Sequence, residues 1–407
     1  MADIYKLTNK IQHYDWGSPD AIPRLLGIQN KDALPWAEMW MGTHPLAPSL
    51  IDVNGKKLNL EQIAGSLPYL FKLIAADKPL SIQAHPNLIQ AREGFERENR
   101  AGIALDDPAR NYKDANHKPE ILCALTPFTV MAGFRPPVKI LGHLEALLTV
   151  FPSLRTGLVS LLNALSINTR VQGSQTENCI GVFLHALFSL PEQTCQSLSH
   201  FLSREQDEYN VNVITRQQWR LMREFALLYP GDPAVISPLY LNVMMLEAGQ
   251  AFYIPAGILH AYINGFGVEL MAASDNVLRG GLTPKHIDIN ELVNIIELKT
   301  FLPEIITPEY SSSWFSYNTP CGDFTLSFMS LHSDKKTFHG KNSICIISEG
   351  ELTVNGIHFK KGESFFIPRG ADTIFKGDFF SYIASCNQTL QAQEKESASI
   401  KIAEKKV

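Results

Sequence analysis

One spaced pattern occurs twice in the second half of this chain. Gly249 is followed after five residues by Pro255-Ala256-Gly257, after two more by His260, and after three more by Asn264. Gly362 is followed after five residues by Pro368-Arg369-Gly370 and after two more by Thr373. Both copies follow a pair of β-like runs, and glycine and proline at these offsets punctuate strand, turn and strand. A repeated unit of this kind predicts two versions of one β structure. The copies differ where chemistry is concerned, because an imidazole at 260 faces a hydroxyl at 373. An imidazole can ligate a metal, and the second copy offers none at the matching position.

The rest of the chain is organised around those units. From Tyr5 to about Pro137 the texture is loop-rich with short β-like runs, and Asn54-Gly55 marks a hairpin because both residues tolerate positive φ. From about Val138 to Tyr229 apolar residues recur at helical spacing, as in Leu141, Leu144, Leu147 and Leu148. Trp219, Met222, Phe225 and Ala226 repeat that spacing after Thr215, a helix N-cap by type. Beyond Pro238 the β texture returns, with Leu239–Leu246 and Phe252–Ile254 as expected strands. A helical link follows over Ile287–Leu298, then a last β block from Phe324 to Ser385 with a second hairpin at Asn355-Gly356. With 407 residues, more than one core is expected. The divisions are 1–137 with 230–300, a helical insertion at 138–229, a C-terminal unit at 301–390, and a charged, mobile tail at 391–407.

A net charge of −5 offers no basic face for nucleic acid or an anionic membrane, so an anionic ligand would need a local group of cations. No apolar run is long enough to cross a bilayer. The six cysteines are scattered with no C-x-x-C spacing, which predicts reduced, buried thiols and a cytoplasmic protein.

Metal-ligating types gather in a few places. Gln83 and His85 are two residues apart, so on a strand both point to one face. Glu120 and His260 complete a mixed N/O donor set suited to zinc or another borderline first-row ion. The repeated pattern resembles the second motif of cupins. That resemblance implies a mainly β fold with an α-helical insertion, built from two jelly-roll β-barrel domains plus a helical domain, the second barrel free of metal.

Longer strings carry a more specific likeness. Tyr14–Gly17, Glu38–Pro45, Pro79–Pro86, Asn111–Glu120, Pro255–Tyr262 and Ser274–Lys285 resemble, in order, strings of the type I phosphomannose isomerases. The resemblance implies an enzyme that interconverts mannose 6-phosphate and fructose 6-phosphate through an enediol(ate). One Zn2+ per chain falls on Gln83, His85, Glu120 and His260. Phosphate and substrate contacts fall on Ser81, Arg279, Lys285 and Trp16, with Lys118 beside Glu120. The implied partner is a small sugar phosphate, with neither nucleic acid nor membrane, and the chain is expected to be a monomer.

Aldose–ketose isomerisation moves a proton between C1 and C2 and stabilises the charge that develops. Asp275 ranks first as the base, with Lys118 and Glu269 next. Arg279 either holds phosphate or steadies charge near C1 and C2. Trp16, Trp40 and Tyr262 offer faces for the sugar ring. Three alternatives remain on residue chemistry alone: an oxygenase with Fe(II) on His85, Glu120 and His260, a sugar-phosphate binder without turnover, and an isomerase acting on a different phosphosugar.

Overall fold

The computed structural model describes residues 4–166, 175–204, 213–309 and 311–387. The expected tail at 391–407 lies outside them.

The glycines of the repeat adopt matched backbone conformations. Gly249 and Gly362 have φ of 85° and 83°, and Gly257 and Gly370 have φ of 81° and 76°. In each copy the turn releases a long strand, His260–Ala272 in the first and Asp372–Cys386 in the second. The hairpins at Asn54-Gly55 and Asn355-Gly356 also form, with all four residues at positive φ and flanking pairs Val53 with Lys56 and Val354 with Ile357.

The strands do not close into barrels, which corrects the expectation of two jelly rolls in a mainly β chain. The fold is mixed α/β with two sheet regions. One sheet runs from Ile305–Ile306 at one edge to Lys10–Gln12 at the other, and its ends do not meet. The second runs from Trp314–Tyr317 to Lys56–Asn59 and is open in the same way. Very short edge strands limit exposed ladder groups in the first sheet, so closure is not needed to protect them. The sheets bury their faces on each other. Phe71, Leu73, Ile121 and Val268 of the first pack with Phe324, Phe328, Ile344 and Phe366 of the second in one core.

The second sheet joins distant parts of the chain. Tyr5–Thr8 pairs on one side with Ser364–Ile367 and on the other with Leu50–Val53.

The other face of the central strands, with Ile74, Leu122 and Phe252, packs on Phe128, Val130 and Tyr262 within the same sheet, and helices cover the outer side of Phe128–Phe134, Leu241–Leu246 and Gln83–Ala84. Pro137–Val150, Val159–Ser166, Gln175–Phe188, Glu192–Ser203 and Arg216–Leu228 follow one another. Leu144, Phe183, Leu184 and Phe225 pack in one core with Ile82, Ala84, Ala261 and Leu278 from the site-bearing strands. Thr215 caps the last of these helices as expected, in a reciprocal pair with Gln218. The Leu239–Leu246 run departs from its reading as one strand. Ser237–Tyr240 is a helical turn and the strand begins at Leu241. Pro238 lies at the start of that turn, where its fixed φ suits a helix and its missing N–H is not needed.

Candidate active site

Two short strands and the start of a long one bring the expected ligands together, with His85 just past the end of Gln83–Ala84. Gln83–Ala84 lies between two neighbours: His260 is opposite Gln83 on one side, and Arg279 is opposite Gln83 on the other. Glu120 opens the strand Glu120–Ala124, which pairs with the far half of the His260–Ala272 strand. His85, Glu120 and His260 are all essentially buried. Their ligating atoms lie within 4.8 Å of one another, the one such group of three among the described residues.

The two imidazoles are fixed from behind. His85 Nδ1 lies 2.7 Å from the Asn276 carbonyl, and His260 Nδ1 lies 2.9 Å from that of Ile258. A carbonyl only accepts, so both Nδ1 atoms carry the proton and both Nε2 lone pairs face the centre. Glu120 meets them there, with Oε1 3.4 Å from His85 Nε2 and Oε2 3.3 Å from His260 Nε2. His85 Nε2, His260 Nε2 and Glu120 Oε2 are buried and make no hydrogen bond. Lone pairs facing lone pairs in a dry site are costly unless a cation sits among them. The donor set therefore fits a metal ion. Burial and the charge of Lys118 lower the His85 pKa to about 4, which keeps its ring neutral as a ligand requires.

Asn276 anchors this arrangement. Its side-chain amide donates to the Asp114 and Asn116 carbonyls, and its Oδ1 accepts from the Lys113 N–H. The backbone carbonyl that aims His85 is thus held by the 113–116 loop. Replacing Asn276 by Ala should weaken zinc binding about 10- to 100-fold, the usual cost of losing an outer partner of a ligand. Competition with a chelator measures this, and unchanged affinity would remove Asn276 from the account.

In front of the centre opens a cleft of about 740 Å³. Trp16, Ser81, Gln83, Lys118, Glu120, Glu269, Asp275, Arg279 and Lys285 all line it, as do Trp40 and Tyr262, while His85 and His260 stand behind. Lys118 Nζ is 3.3 Å from Glu120 Oε1. Burial lowers the pKa of Arg279, and burial together with Arg279 lowers that of Lys285, so both cations gain from an arriving anion. Burial would raise the Asp275 carboxyl, but a hydrogen bond from His44 and the charges of Lys118 and Lys72 outweigh it and hold it below its ordinary value.

The motif reading missed Lys72. Its ammonium is 2.9 Å from Glu269 and 3.5 Å from Glu38, and all three groups line the cleft and are buried. Burial opposes its charge, but the two carboxylates raise its pKa and keep it protonated. A signal was present, because Lys72 is the one charged residue in the wholly buried run Tyr69–Ala76.

Residues 4–137 match the family model for the catalytic domain of type I phosphomannose isomerase. Mannose-6-phosphate isomerase of Escherichia coli is 36% identical, with 89% of this chain and 94% of that protein covered. This chain belongs to the type I phosphomannose isomerase family. The human mannose-6-phosphate isomerase is 32% identical over 79% of this chain and 81% of its own length. A zinc-bound crystal structure of mannose 6-phosphate isomerase superposes with a TM-score of 0.79 at 33% identity, covering 95% of this chain and all of that one. All six strings that carry the phosphomannose isomerase resemblance contribute residues to the cleft or its wall.

Proposed function

We propose that the chain interconverts D-mannose 6-phosphate and D-fructose 6-phosphate, with one zinc ion held by Gln83, His85, Glu120 and His260. The observation that carries this reading is the trio of buried, unsatisfied acceptors facing each other at the end of a cleft that also holds cations. Zinc, when bound, supplies a Lewis acid that polarises a substrate oxygen and offsets negative charge.

The chain's own groups do the rest. Lys118, fixed beside Glu120, places a second positive charge where the enediolate develops. Asp275, ionised and on the cleft wall, moves the proton between C1 and C2. Arg279 and Lys285, with the Ser81 hydroxyl, take the phosphate, and the Arg279 guanidinium gives it a planar fork of donors. Trp16 and Tyr262 offer apolar faces to the sugar. Glu269 is engaged with Lys72, so its part is to hold that cation in place.

The division of the chain into units follows the cleft. Catalysis belongs to 1–137 with 230–300, and 138–229 is a helical insertion that reaches the cleft through Tyr229, whose hydroxyl donates to the Pro79 carbonyl. Residues 301–390 form the C-terminal unit, and none of its described residues lines the cleft. There Thr373 is buried and donates its hydroxyl to the Phe338 carbonyl, a structural use of the position that His260 occupies in the first repeat. Among the described residues no helix is long and apolar enough to cross a membrane, and all six cysteines are free and buried. We read the chain as a cytoplasmic monomer.

The test strips the protein with a chelator and adds back zinc or ferrous iron, under air and under argon, with mannose 6-phosphate present. Zinc should restore fructose 6-phosphate formation without oxygen. It should also raise the unfolding midpoint, because a ligand at 1,000 times its Kd stabilises by about 4 kcal/mol. Metal bound with no turnover would overturn the assignment.

A further inference from the structure

We propose that His44 is a positioning residue for Asp275, and that it sets the orientation and the ionisation of that carboxylate by a single hydrogen bond. The proposal rests on the reading of Asp275 as the proton-transfer group.

Only 7% of the His44 side chain is exposed, and its Nε2 lies 3.2 Å from Asp275 Oδ2. Its other nitrogen decides the direction of that bond. The Leu46 N–H donates to His44 Nδ1 at 3.3 Å, so Nδ1 carries the lone pair and Nε2 carries the proton. His44 is therefore a neutral donor to the carboxylate. Its ring is held edge-on against Trp40, with centroids 4.7 Å apart, and the Trp40 indole donates to Glu38 at 2.7 Å. The ring has no freedom to follow the carboxylate elsewhere. From behind, Asp275 is tied by its own N–H to Asp114 Oδ2 at 2.7 Å. The charged and titratable groups that act on Asp275 are His44, Lys118 and Lys72, with the Tyr14 phenol and Asp114 also near. Of these, His44 alone brings a ring N–H to within 3.2 Å of the carboxylate. The same loop places Leu46, 71% exposed, on the rim of the cleft, so the donor is tied to the cleft mouth.

The sign of the effect follows. A donor favours the ionised form, so its loss raises the Asp275 pKa and moves the acid limb of kcat/KM to higher pH.

The experiment compares His44→Phe, which keeps the ring's bulk and the Trp40 contact, with His44→Gln, which keeps a donor. Both are loaded with zinc. His44→Phe should lower kcat about 10- to 100-fold, leave KM within about twofold, and shift the acid limb upward by about half a pH unit or more. His44→Gln should restore the limb and most of kcat. Should His44→Phe not fold, His44→Leu carries the same comparison. An unmoved limb in a folded, zinc-loaded variant lacking the donor overturns the proposal, and so does equal loss in the Gln variant. Asp275→Asn separates the two readings. If it is inactive while His44→Phe is unaffected, Asp275 keeps its role and His44 loses the one assigned here. If it is active, both fall.

Discussion

Replacing Glu120 by Gln should leave the purified protein almost free of zinc and lower kcat/KM for mannose 6-phosphate by about 10³-fold or more. The reason is the charge pattern around that side chain. His85 and His260 are fixed as neutral donors of lone pairs, and Gln83 brings only an amide, so Glu120 is the one anion of the proposed ligand set. Removing its charge leaves a dication facing neutral ligands with Lys118 3.3 Å from the substituted side chain. The like charges of zinc and Lys118 then oppose each other without the carboxylate between them, which costs several kcal/mol in a dry site. Elemental analysis and steady-state kinetics check this together. A variant that keeps one zinc per chain and most of its activity would show that Glu120 is not a ligand.

The second large effect is expected at Lys72. Exchanging it for Met preserves the length and apolar stem but leaves Glu38 and Glu269 without their shared cation. Both carboxylates are buried, and stranding a buried partner in this way costs about 3–5 kcal/mol. Urea unfolding of the zinc-loaded protein reads the loss as a lower midpoint at unchanged slope. A second change, Glu269→Gln, made in the Met variant should recover part of it, because one of the two unpaired charges is then gone. If the midpoint of the single variant moves by less than about 1 kcal/mol, the cluster is not held by Lys72.

These two residues show what the sequence could and could not reveal. Glu120 stands in a ten-residue string, Asn111–Glu120, whose neighbours point to one family, so its place in the site is legible in the residue order alone. Lys72 belongs to no such string. Its importance depends on Glu38 and Glu269, which lie far from it along the chain and meet it only through the pairing of three strands. His44 is intermediate. It lies within a recognised string, but the direction of its hydrogen bond depends on a backbone N–H two residues on, which no pattern of residue types displays.

At the level of the fold, the repeat, the hairpins and the helical stretch were legible because each is set by local backbone preference. Matched positive φ at Gly249 and Gly362 is one instance. Whether the sheets would close was not legible. Closure depends on edge meeting edge, and the strands Ile305–Ile306 and Lys10–Gln12 that end the first sheet are too short to carry a distinct pattern. The apolar run from Leu239 likewise read as one strand, because period alone does not separate a short turn of helix from a short length of sheet.

The pairing of Tyr5–Thr8 with Ser364–Ile367 has a consequence in time. A ribosome adding roughly 5–20 residues per second needs about 20–70 s to travel from one partner to the other. Once Leu50–Val53 has been made, the early strand has that neighbour on one side and no native neighbour on the other. The nascent chain therefore carries an open sheet edge for most of its synthesis. That edge is covered only once Ser364–Ile367 has been made, close to the end of the described chain.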